Sequence, residues 1–244
     1  MNEHMRLKLM LIDGERKTDA GAKELSRRDL GKKERRTRIV NAAYDLLREA
    51  GVDALSVIKV AERARVSPAT VYNLFGTKGA ILAQVFDQDL KAFTTVVGRA
   101  RAADALDHIF KAISIAAGLY KEDPGFYRAI MHMRPNQADP DLYAAMRAPR
   151  IEFWRGMIQK AGEEGLLRRD ANSGVLSVLA TQIASGVLAE WVSGVISADQ
   201  LERETSYGFA VILMQYATPK GAKKLAPRIA ALEKALAQYS RRRA

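Results

Sequence analysis

Apolar residues recur at intervals of three and four positions along most of this 244-residue chain. Such spacing places them on one face of an α-helix, and no stretch shows the strict alternation of a half-buried β-strand. The pattern therefore predicts an all-α fold. We expect helices over about 33–50, 78–97, 103–120, 126–132, 141–164, 173–196 and 198–217. Pro149 should bend or interrupt the helix over 141–164, because proline lacks a backbone N–H.

Two much shorter helices are predicted between the first and second of these. Ser56 is placed to cap the first short helix, and Ser67 caps the second, with Pro68 at its first helical position. Val71 and Leu74 then point inward from the second helix. Two short helices joined by a tight turn form a helix-turn-helix, in which the N-terminal residues of the second helix enter the major groove of DNA.

The outward positions of this unit carry side chains that suit a DNA contact. Thr70 and Asn73 can hydrogen-bond base edges or phosphate, Tyr72 offers a hydroxyl, and Ala69 lets the helix approach closely. Lys78 opens the next helix, where a cation and free backbone N–H groups meet one phosphate. The plain alternative is an ordinary helical corner with a solvated face, although the full motif is more demanding than that. The predicted DNA-binding residues are Arg38, Ser56, Ser67, Pro68, Ala69, Thr70, Tyr72, Asn73 and Lys78.

A set of residues within 33–82 combines this unit with the helix before it: Arg38, Ile39, Ala42, Ala43, Leu46, Gly51, Ser56, Val60, Ala61, Ala64, Val66, Ser67, Thr70, Tyr72, Phe75, Lys78 and Leu82. In these residues the chain resembles the tetracycline-repressor (TetR) family of transcriptional regulators. The resemblance implies a three-helix DNA-binding head and a larger helical body for dimerisation and effector binding. It also implies a ligand-responsive repressor that binds a palindromic operator on double-stranded DNA as a homodimer.

Two positions depart from the family pattern. The turn between the short helices usually carries glycine, but this chain has Arg65, which suggests a less strained turn or an added phosphate contact. The position after Val57 is usually polar, but here it is Ile58, which argues against a phosphate contact from that position.

The net charge of +11 lies mainly at the two ends of the chain. Residues 1–36 carry 11 basic and 7 acidic side chains, residues 79–217 carry 14 and 16, and residues 218–244 carry 8 and 1. A basic end is expected where a molecule touches a polyanion, although a basic tail also serves solubility. Residues 1–32 are predicted to form a flexible arm that follows the DNA backbone or is simply a disordered leader. Its last cations and the first of the helix are Arg27, Arg28, Lys32, Lys33, Arg35 and Arg36.

The predicted organisation has four parts. Residues 1–32 form the basic arm, 33–82 the DNA-binding domain, 83–217 the effector-binding and dimerisation domain, and 218–244 a basic extra helix. The last segment carries an apolar stripe spaced four, three, four and three, which predicts a helix that docks on the body: Leu225, Ile229, Leu232, Leu236 and Tyr239. We expect the dimer contact within about 173–195 and 201–216, where large and small apolar residues alternate.

Aromatic and methionine side chains on the middle helices are candidates for an effector pocket, because they adapt to apolar ligands. Core packing alone explains any single one of them better than a ligand does. The predicted effector is an apolar or amphipathic molecule. The candidate ligand-binding residues are Phe110, Tyr120, Phe126, Tyr127, Met131, Phe153, Trp154, Met157 and Trp191.

Other classes of protein find little support in the sequence. There are no cysteines and only three histidines, none in a metal-binding pair, so we expect no metal site and no cofactor. The absence of a phosphate-binding loop and of a nucleophile motif argues against an enzyme. No window suggests a membrane span or a signal peptide, so a cytoplasmic protein without membrane contact is expected. The remaining alternative is a nucleoid-associated or architectural DNA-binding protein with protein partners in place of an effector.

Overall fold

The computed structural model describes residues 27–51, 55–132 and 140–243, and these are almost entirely α-helical. Within them no strand occurs beyond an isolated antiparallel bridge between Leu167 and Ala217, which confirms the all-α prediction. The helices are α1 (Arg27–Ala50), α2 (Val57–Ala64), α3 (Pro68–Phe75), α4 (Lys78–Arg99), α5 (Ala105–Glu122), α6 (Pro124–His132), α7 (Pro140–Glu163), α8 (Ser173–Val192), α9 (Ala198–Met214) and α10 (Pro219–Arg243).

The first helix begins earlier than the sequence suggested. The predicted arm lies outside the described residues as far as residue 26, but α1 already begins at Arg27, so a helix start near residue 33 was wrong. Gly31 lies inside α1 and does not break it, because one glycine costs a helix only about 1 kcal/mol.

The described residues form two compact units. One consists of the residues up to Val96 together with Pro124–Met146, and the other of Val97–Asp123 together with the residues from Arg147 onward. Two boundaries fall inside α4 and α7, so these two helices contribute to both units, and a third lies between α5 and α6.

The first unit contains α2 and α3, held by the apolar face of α1. The predicted stripe of α1 is buried, with Ile39, Ala43 and Leu47 fully enclosed. Helix α6 closes the same core, since the rings of Tyr44 and Phe126 lie 4.5 Å apart between centroids. Continuous burial along one side of α1 gives the short helices a fixed surface to pack on.

The second unit is built around α9, which packs against α5, α8 and α10. Phe209, Ala210 and Leu213 are fully buried on α9, and the ring of Trp154 lies 4.7 Å from that of Phe209. Small residues allow the close approach of α8, because a Cβ added at Gly208 would lie 2.7 Å from Ile183.

Two helices continue through an internal proline. Helix α7 continues from Pro140 to Glu163 with Pro149 inside it, and α10 likewise contains Pro227. Of the two effects expected of Pro149, the interruption was therefore wrong, and the bend stays a prediction. A proline removes one backbone hydrogen bond, and packing of the surrounding turns outweighs that loss here.

Candidate nucleic-acid interface

The first short helix, α2, begins at a side-chain cap. Ser56 has extended backbone angles, and its hydroxyl oxygen accepts a hydrogen bond from the Lys59 N–H at 3.2 Å. Such a cap satisfies one of the backbone donors left free at a helix N-terminus. Val60, Ala61 and Ala64 form the buried face of α2.

The turn after α2 is made by a residue in the left-handed conformation. Arg65 has φ 54° and ψ 52°, and no other described residue except glycine has a positive φ. Its N–H donates to the Glu62 carbonyl at 3.1 Å, while the Val66 N–H donates to the Ala61 carbonyl at 3.0 Å. These two bonds form a Schellman motif, which usually places glycine where Arg65 stands. The prediction of a less strained turn was therefore wrong: the turn keeps its usual geometry, and arginine adopts it.

The second short helix, α3, carries its cap and its proline where they were predicted. The Ser67 oxygen accepts from the Thr70 N–H at 3.2 Å, and the two hydroxyl oxygens lie 2.9 Å apart. Pro68 occupies the first turn, where its missing N–H costs nothing. The Thr70 side chain is half-buried, and its hydroxyl already contacts that of Ser67. It is therefore less available than its neighbours for a contact with DNA.

Helix α3 has one face in the core and one in solvent. Val71 is 1% exposed and Phe75 9%, whereas Tyr72 is 56% exposed and Asn73 is also exposed. Among the described residues, neither outward side chain has a hydrogen-bond or ionic partner. The polar groups of Tyr72 and Asn73 therefore lie together on the solvent-exposed face of α3. Of the remaining predicted contacts, Ala69 is exposed next to them.

The start of α4 adds a positive charge to this surface. The Thr77 hydroxyl oxygen accepts from the Ala80 N–H at 3.1 Å, and Lys78 is exposed at the first position of the helix. The N-terminus of a helix and an adjacent ammonium group both attract a phosphate. Arg38 on α1 is exposed as well, while Ile58 on α2 leaves 61% of an apolar side chain in solvent.

Two arginines that were not among the predicted DNA-binding residues join α1 to the two short helices. Arg63 on α2 forms a two-pronged ion pair with Glu49 on α1, at 2.9 and 2.6 Å. The hydrogen bond from Arg63 and its charge hold the pKa of the Glu49 carboxyl below its usual value. Arg36 on α1 donates to the Leu74 carbonyl of α3 at 2.5 Å. Arg36 lies three residues before Ile39, on the buried stripe, which is the signal that could have identified it.

The candidate ligand-binding residues fall in both units. Phe126, Tyr127 and Met131 are buried in the first, where the Tyr127 hydroxyl lies 3.4 Å from the Asp89 carboxylate. The other six belong to the second unit. They include the stacked rings of Tyr120 and Trp191, the pair Phe153 and Trp154, and also Phe110 and Met157.

A capped pair of short helices in a three-helix unit, with a polar outer face and a basic border, defines a helix-turn-helix DNA-binding protein. The model of the family described as "Bacterial regulatory proteins, tetR family" matches residues 39–85. YdeS of Bacillus subtilis (strain 168), an uncharacterized HTH-type transcriptional regulator, is 31% identical over 140 residues, which cover 54% of this chain and 67% of YdeS. UidR of Escherichia coli (strain K12), also an HTH-type transcriptional regulator, is 26% identical over 177 residues, covering 70% and 86% of the two chains.

The chain therefore belongs to the TetR family of transcriptional regulators, as the resemblance predicted. This is a family of regulators rather than of enzymes, and its members bind DNA and act as dimers. Membership supports the regulator interpretation over the architectural one.

Solved structures share the fold. FadR of Thermus thermophilus, a TetR-family transcriptional repressor in complex with lauroyl-CoA, matches with a TM-score of 0.61 and 20% identity, covering 73% of this chain and 93% of FadR. A TetR transcriptional regulator from Rhodococcus sp. RHA1 matches with a TM-score of 0.62 and 19% identity, covering 75% and 97%.

Proposed function

We propose that this protein is a cytoplasmic, ligand-responsive repressor that binds a near-palindromic DNA operator as a homodimer. The observation that carries the proposal is the outer face of α3, where Tyr72 and Asn73 stand exposed beside a capped helix N-terminus. We call α3 the recognition helix. In the proposed complex it enters the major groove, Asn73 reads base edges, and Tyr72 contacts bases or backbone.

The other predicted contacts have supporting roles. Lys78 and the first N–H groups of α4 bind a phosphate, and Arg38 adds a second cation beside the same strand. Ser56, Ser67 and Pro68 act chiefly by fixing the starts of α2 and α3, since the two serine side chains form the caps and Pro68 occupies the first turn of α3. Thr70 braces the cap of α3 and offers its remaining surface to the groove.

Selection of bound fragments from a random DNA pool by the purified protein tests the proposal directly. A dimer with two recognition helices should enrich a near-palindrome whose half-sites are centred about 34–36 Å apart, one helical turn. A protein that bound all fragments alike, with no enriched motif, would be an unspecific DNA-binding protein, and the proposal would fail.

Substitution of Asn73 separates base readout from general attraction. Asn73→Ala should cost about 1–3 kcal/mol on the operator and relax base preference at one position of each half-site, because the bidentate amide contact is lost. Lys78→Ala is the matched comparison. It should weaken all sequences alike and reduce the slope of affinity against salt by about one unit. Titrations of operator and scrambled DNA across salt concentrations measure both. Equal loss on both DNAs for Asn73→Ala would assign that side chain to the backbone.

The dimer contact is proposed on α8 and α9. Val175 and Leu179 are 55% and 42% exposed on α8, and Gln182 and Gly186 continue the same exposed stripe at spacings of three and four. Val211 on α9 is 44% exposed. The expectation that no window suggests a membrane span was wrong for α8, which by length and composition is the one described helix apolar enough to cross a membrane. Only 33% of its most apolar stretch is buried within the chain. A second copy of the chain would cover this surface, which explains its composition without a membrane.

The effector is proposed to be an amphipathic molecule with a long apolar chain. FadR of Thermus thermophilus, which shares the fold, binds lauroyl-CoA, and this supports the chemical class. In the second unit, Tyr120, Phe153 and Met157 are half-buried and so keep surface for a ligand, whereas Trp154 and Trp191 are enclosed. The ligand must favour a conformation that binds DNA less well, with a coupling of about 1–3 kcal/mol.

Thermal shift and operator release, measured with the same compounds, test the switch. Acyl-CoA molecules of increasing chain length should raise the melting temperature and release operator, while coenzyme A without an acyl chain is the control. Compounds that stabilise the protein but leave operator affinity unchanged would show that the body has no regulatory role. Phe153→Ala should shift the response while leaving ligand-free operator binding intact.

A further inference from the structure

Among the basic residues near the start of α1, Arg36 contacts the recognition helix. Its Nη1 donates to the Leu74 carbonyl at 2.5 Å, and its guanidinium carbon lies 4.4 Å from the centre of the Phe75 ring. Lys33 and Arg38, on neighbouring turns, are exposed. Sequence reasoning had placed Arg36 with the cations that could follow the DNA backbone, but the fold directs it inward.

The Leu74 carbonyl lies where a short helix needs an outside partner. Leu74 and Phe75 are the last two residues of α3, and the final carbonyls of a helix have no acceptor role within it. The Tyr72 carbonyl accepts from the Gly76 N–H at 2.7 Å and the Phe75 carbonyl from the Thr77 N–H at 2.8 Å. Arg36 donates to the Leu74 carbonyl, one of the two between them, and its positive charge suits the negative end of the helix dipole.

The hydrogen bond from Arg36 to Leu74 is directional, whereas apolar packing is not. Helix α3 has eight residues, too few to be stable alone, so its position depends on its neighbours. Val71 and Phe75 hold it against the core, but such contacts tolerate small rotations. A charged hydrogen bond with a planar group stacked on Phe75 fixes the rotation of the helix about its axis. The readers Tyr72 and Asn73 share that turn of helix.

We propose that Arg36 is a positioning residue for DNA readout: it sets the orientation of the recognition helix and does not itself contact phosphate. This inference rests on the proposed function, since positioning has value only where α3 reads DNA. It separates two roles that one arginine in a basic stretch can have. A phosphate contact acts on every sequence, whereas a positioning contact acts only on the correct one.

Three variants distinguish these roles. Arg36→Ala removes both the hydrogen bond and the ring contact. Arg36→Lys keeps the charge, which would preserve a phosphate contact, but loses the planar group. Arg35→Ala removes the same charge one residue earlier and leaves the contact with Leu74 in place. Each variant is titrated with operator and with scrambled DNA over a salt series, well below its melting temperature.

For Arg36→Ala we expect operator affinity to fall roughly 10-fold, while scrambled-DNA affinity and the salt slope stay near those of the parent. Arg36→Lys should recover only part of the specificity ratio, and Arg35→Ala should leave that ratio unchanged. Uniform weakening by Arg36→Ala with a smaller salt slope, restored by Arg36→Lys, would overturn the proposal in favour of a phosphate contact. A lower melting temperature with an unchanged ratio would also overturn it, because the role would then be merely structural.

Hydrogen exchange without DNA tests the contact independently of the regulator's function. Arg36→Ala should speed exchange of the α3 amides several-fold relative to those of α2, while Arg35→Ala should not. Unchanged α3 exchange in Arg36→Ala contradicts the proposal whatever the DNA titrations give. If the parent shows no operator preference, the proposed function fails, and the exchange result still decides whether Arg36 holds α3.

Discussion

Single residues decide the geometry of the helix-turn-helix, and Arg65 is the clearest case. It occupies the left-handed position of the Schellman motif, where a side chain with a Cβ costs about 1–2 kcal/mol more than glycine. The hydrogen bonds of Arg65 and Val66 hold the backbone there, because they satisfy donors and acceptors at the end of α2. The motif therefore determines the conformation, and the side chain adapts to it.

Replacing this arginine by glycine should stabilise the protein. Arg65→Gly is expected to raise the free energy of unfolding by about 1 kcal/mol, because the left-handed strain disappears. Arg65→Ala is the control: it removes the same charge but keeps the Cβ, so it should bring little gain. Urea denaturation of the three proteins measures the difference. An equal gain from both substitutions would mean that charge, not backbone strain, was relieved.

At this scale the sequence predicted what depends on neighbours along the chain. The caps at Ser56 and Ser67 and the inward Val71 follow from local spacing, and the structure confirms them. The role of Arg36 did not follow, because its partner is 38 residues away. Only the packing of α3 on α1 brings that carbonyl within reach. The spacing of Arg36 from Ile39 could indicate that its side chain points inward, but not which distant carbonyl it meets.

At the scale of elements, α10 shows how a predicted extra helix is held in place. Lys224 lies 2.5 Å from Asp104 and 3.8 Å from Asp107 at the start of α5, and Arg228 stacks 4.1 Å above the Phe110 ring. Sequence spacing predicted a docking helix, and within the second unit it packs on α9. The ionic contacts with α5 could not be foreseen, because they join segments more than a hundred positions apart. Lys224 and Arg228 belong to the basic C-terminal segment that had suggested a contact with a polyanion, and here they pair with carboxylates of the same chain.

The docking of α10 requires glycine at position 221. A Cβ added there would lie 2.1 Å from the Leu166 carbonyl oxygen, a backbone atom that cannot move aside. Gly221→Ala should therefore lower the free energy of unfolding by about 1–3 kcal/mol. Gly118→Ala on α5, where nothing lies within 4 Å, is the matched control and should stabilise by about 0.5–1 kcal/mol. Equal effects in thermal denaturation would contradict the close contact.

The ion pair at the start of α5 should make stability depend on pH. Burial of Asp104 opposes its charge, but Lys224 and the backbone N–H groups of Asp107 and Leu106 outweigh this and hold the pKa of the carboxyl below its ordinary value of 3.8. A carboxyl with a lowered pKa stabilises the folded state at pH values above its ordinary pKa. This stabilisation is lost as the pH falls through the pKa of the folded state. Asp104→Asn keeps an N-cap and removes the charge. The stability gap between parent and variant should thus be full at neutral pH and close in acid. A gap independent of pH would exclude the ion pair as its cause.

For the whole molecule, the structure changes which residues can test the dimer. Leu213 lies inside the proposed segment, and a charge there would seem suited to separate the subunits. It is 0% exposed within one chain, so such a change would damage the fold itself. Val175, Leu179 and Val211 keep exposed surface instead. The apolar composition of residues 173–195 and 201–216 indicated these segments, and they stay a prediction. Composition does not show which face of each helix is covered within one chain.

Charge on the exposed face of α8 should separate the subunits. Leu179→Glu is expected to raise the dimer dissociation constant by at least ~10-fold, since a carboxylate would be buried against a second copy. Ala230→Glu on the exposed side of α10 is the control. Light scattering at micromolar concentration measures the mass of each protein. A parent that is monomeric there, or a Leu179→Glu variant that still dimerises normally, would move the contact elsewhere.

Burial also decides which candidate ligand-binding residue can be substituted to test the ligand prediction. Trp154 is 8% exposed and packs on Phe209, so its replacement by alanine would cost about 3–5 kcal/mol of stability and obscure any effect on a ligand. Half-buried Phe153 avoids that difficulty. The sequence could not divide the candidate aromatic residues into enclosed and half-buried ones, because a core and a pocket both require large apolar side chains.

The uncovered apolar face of α8 has a consequence for gene dosage. If two such faces must meet before an operator can be held at both half-sites, binding begins with an encounter of two chains. While most chains are still single, the number of pairs rises with the square of their concentration, so half the protein gives about a quarter of the pairs. Cell division or a change in translation would then alter promoter occupancy more steeply than it alters the amount of regulator.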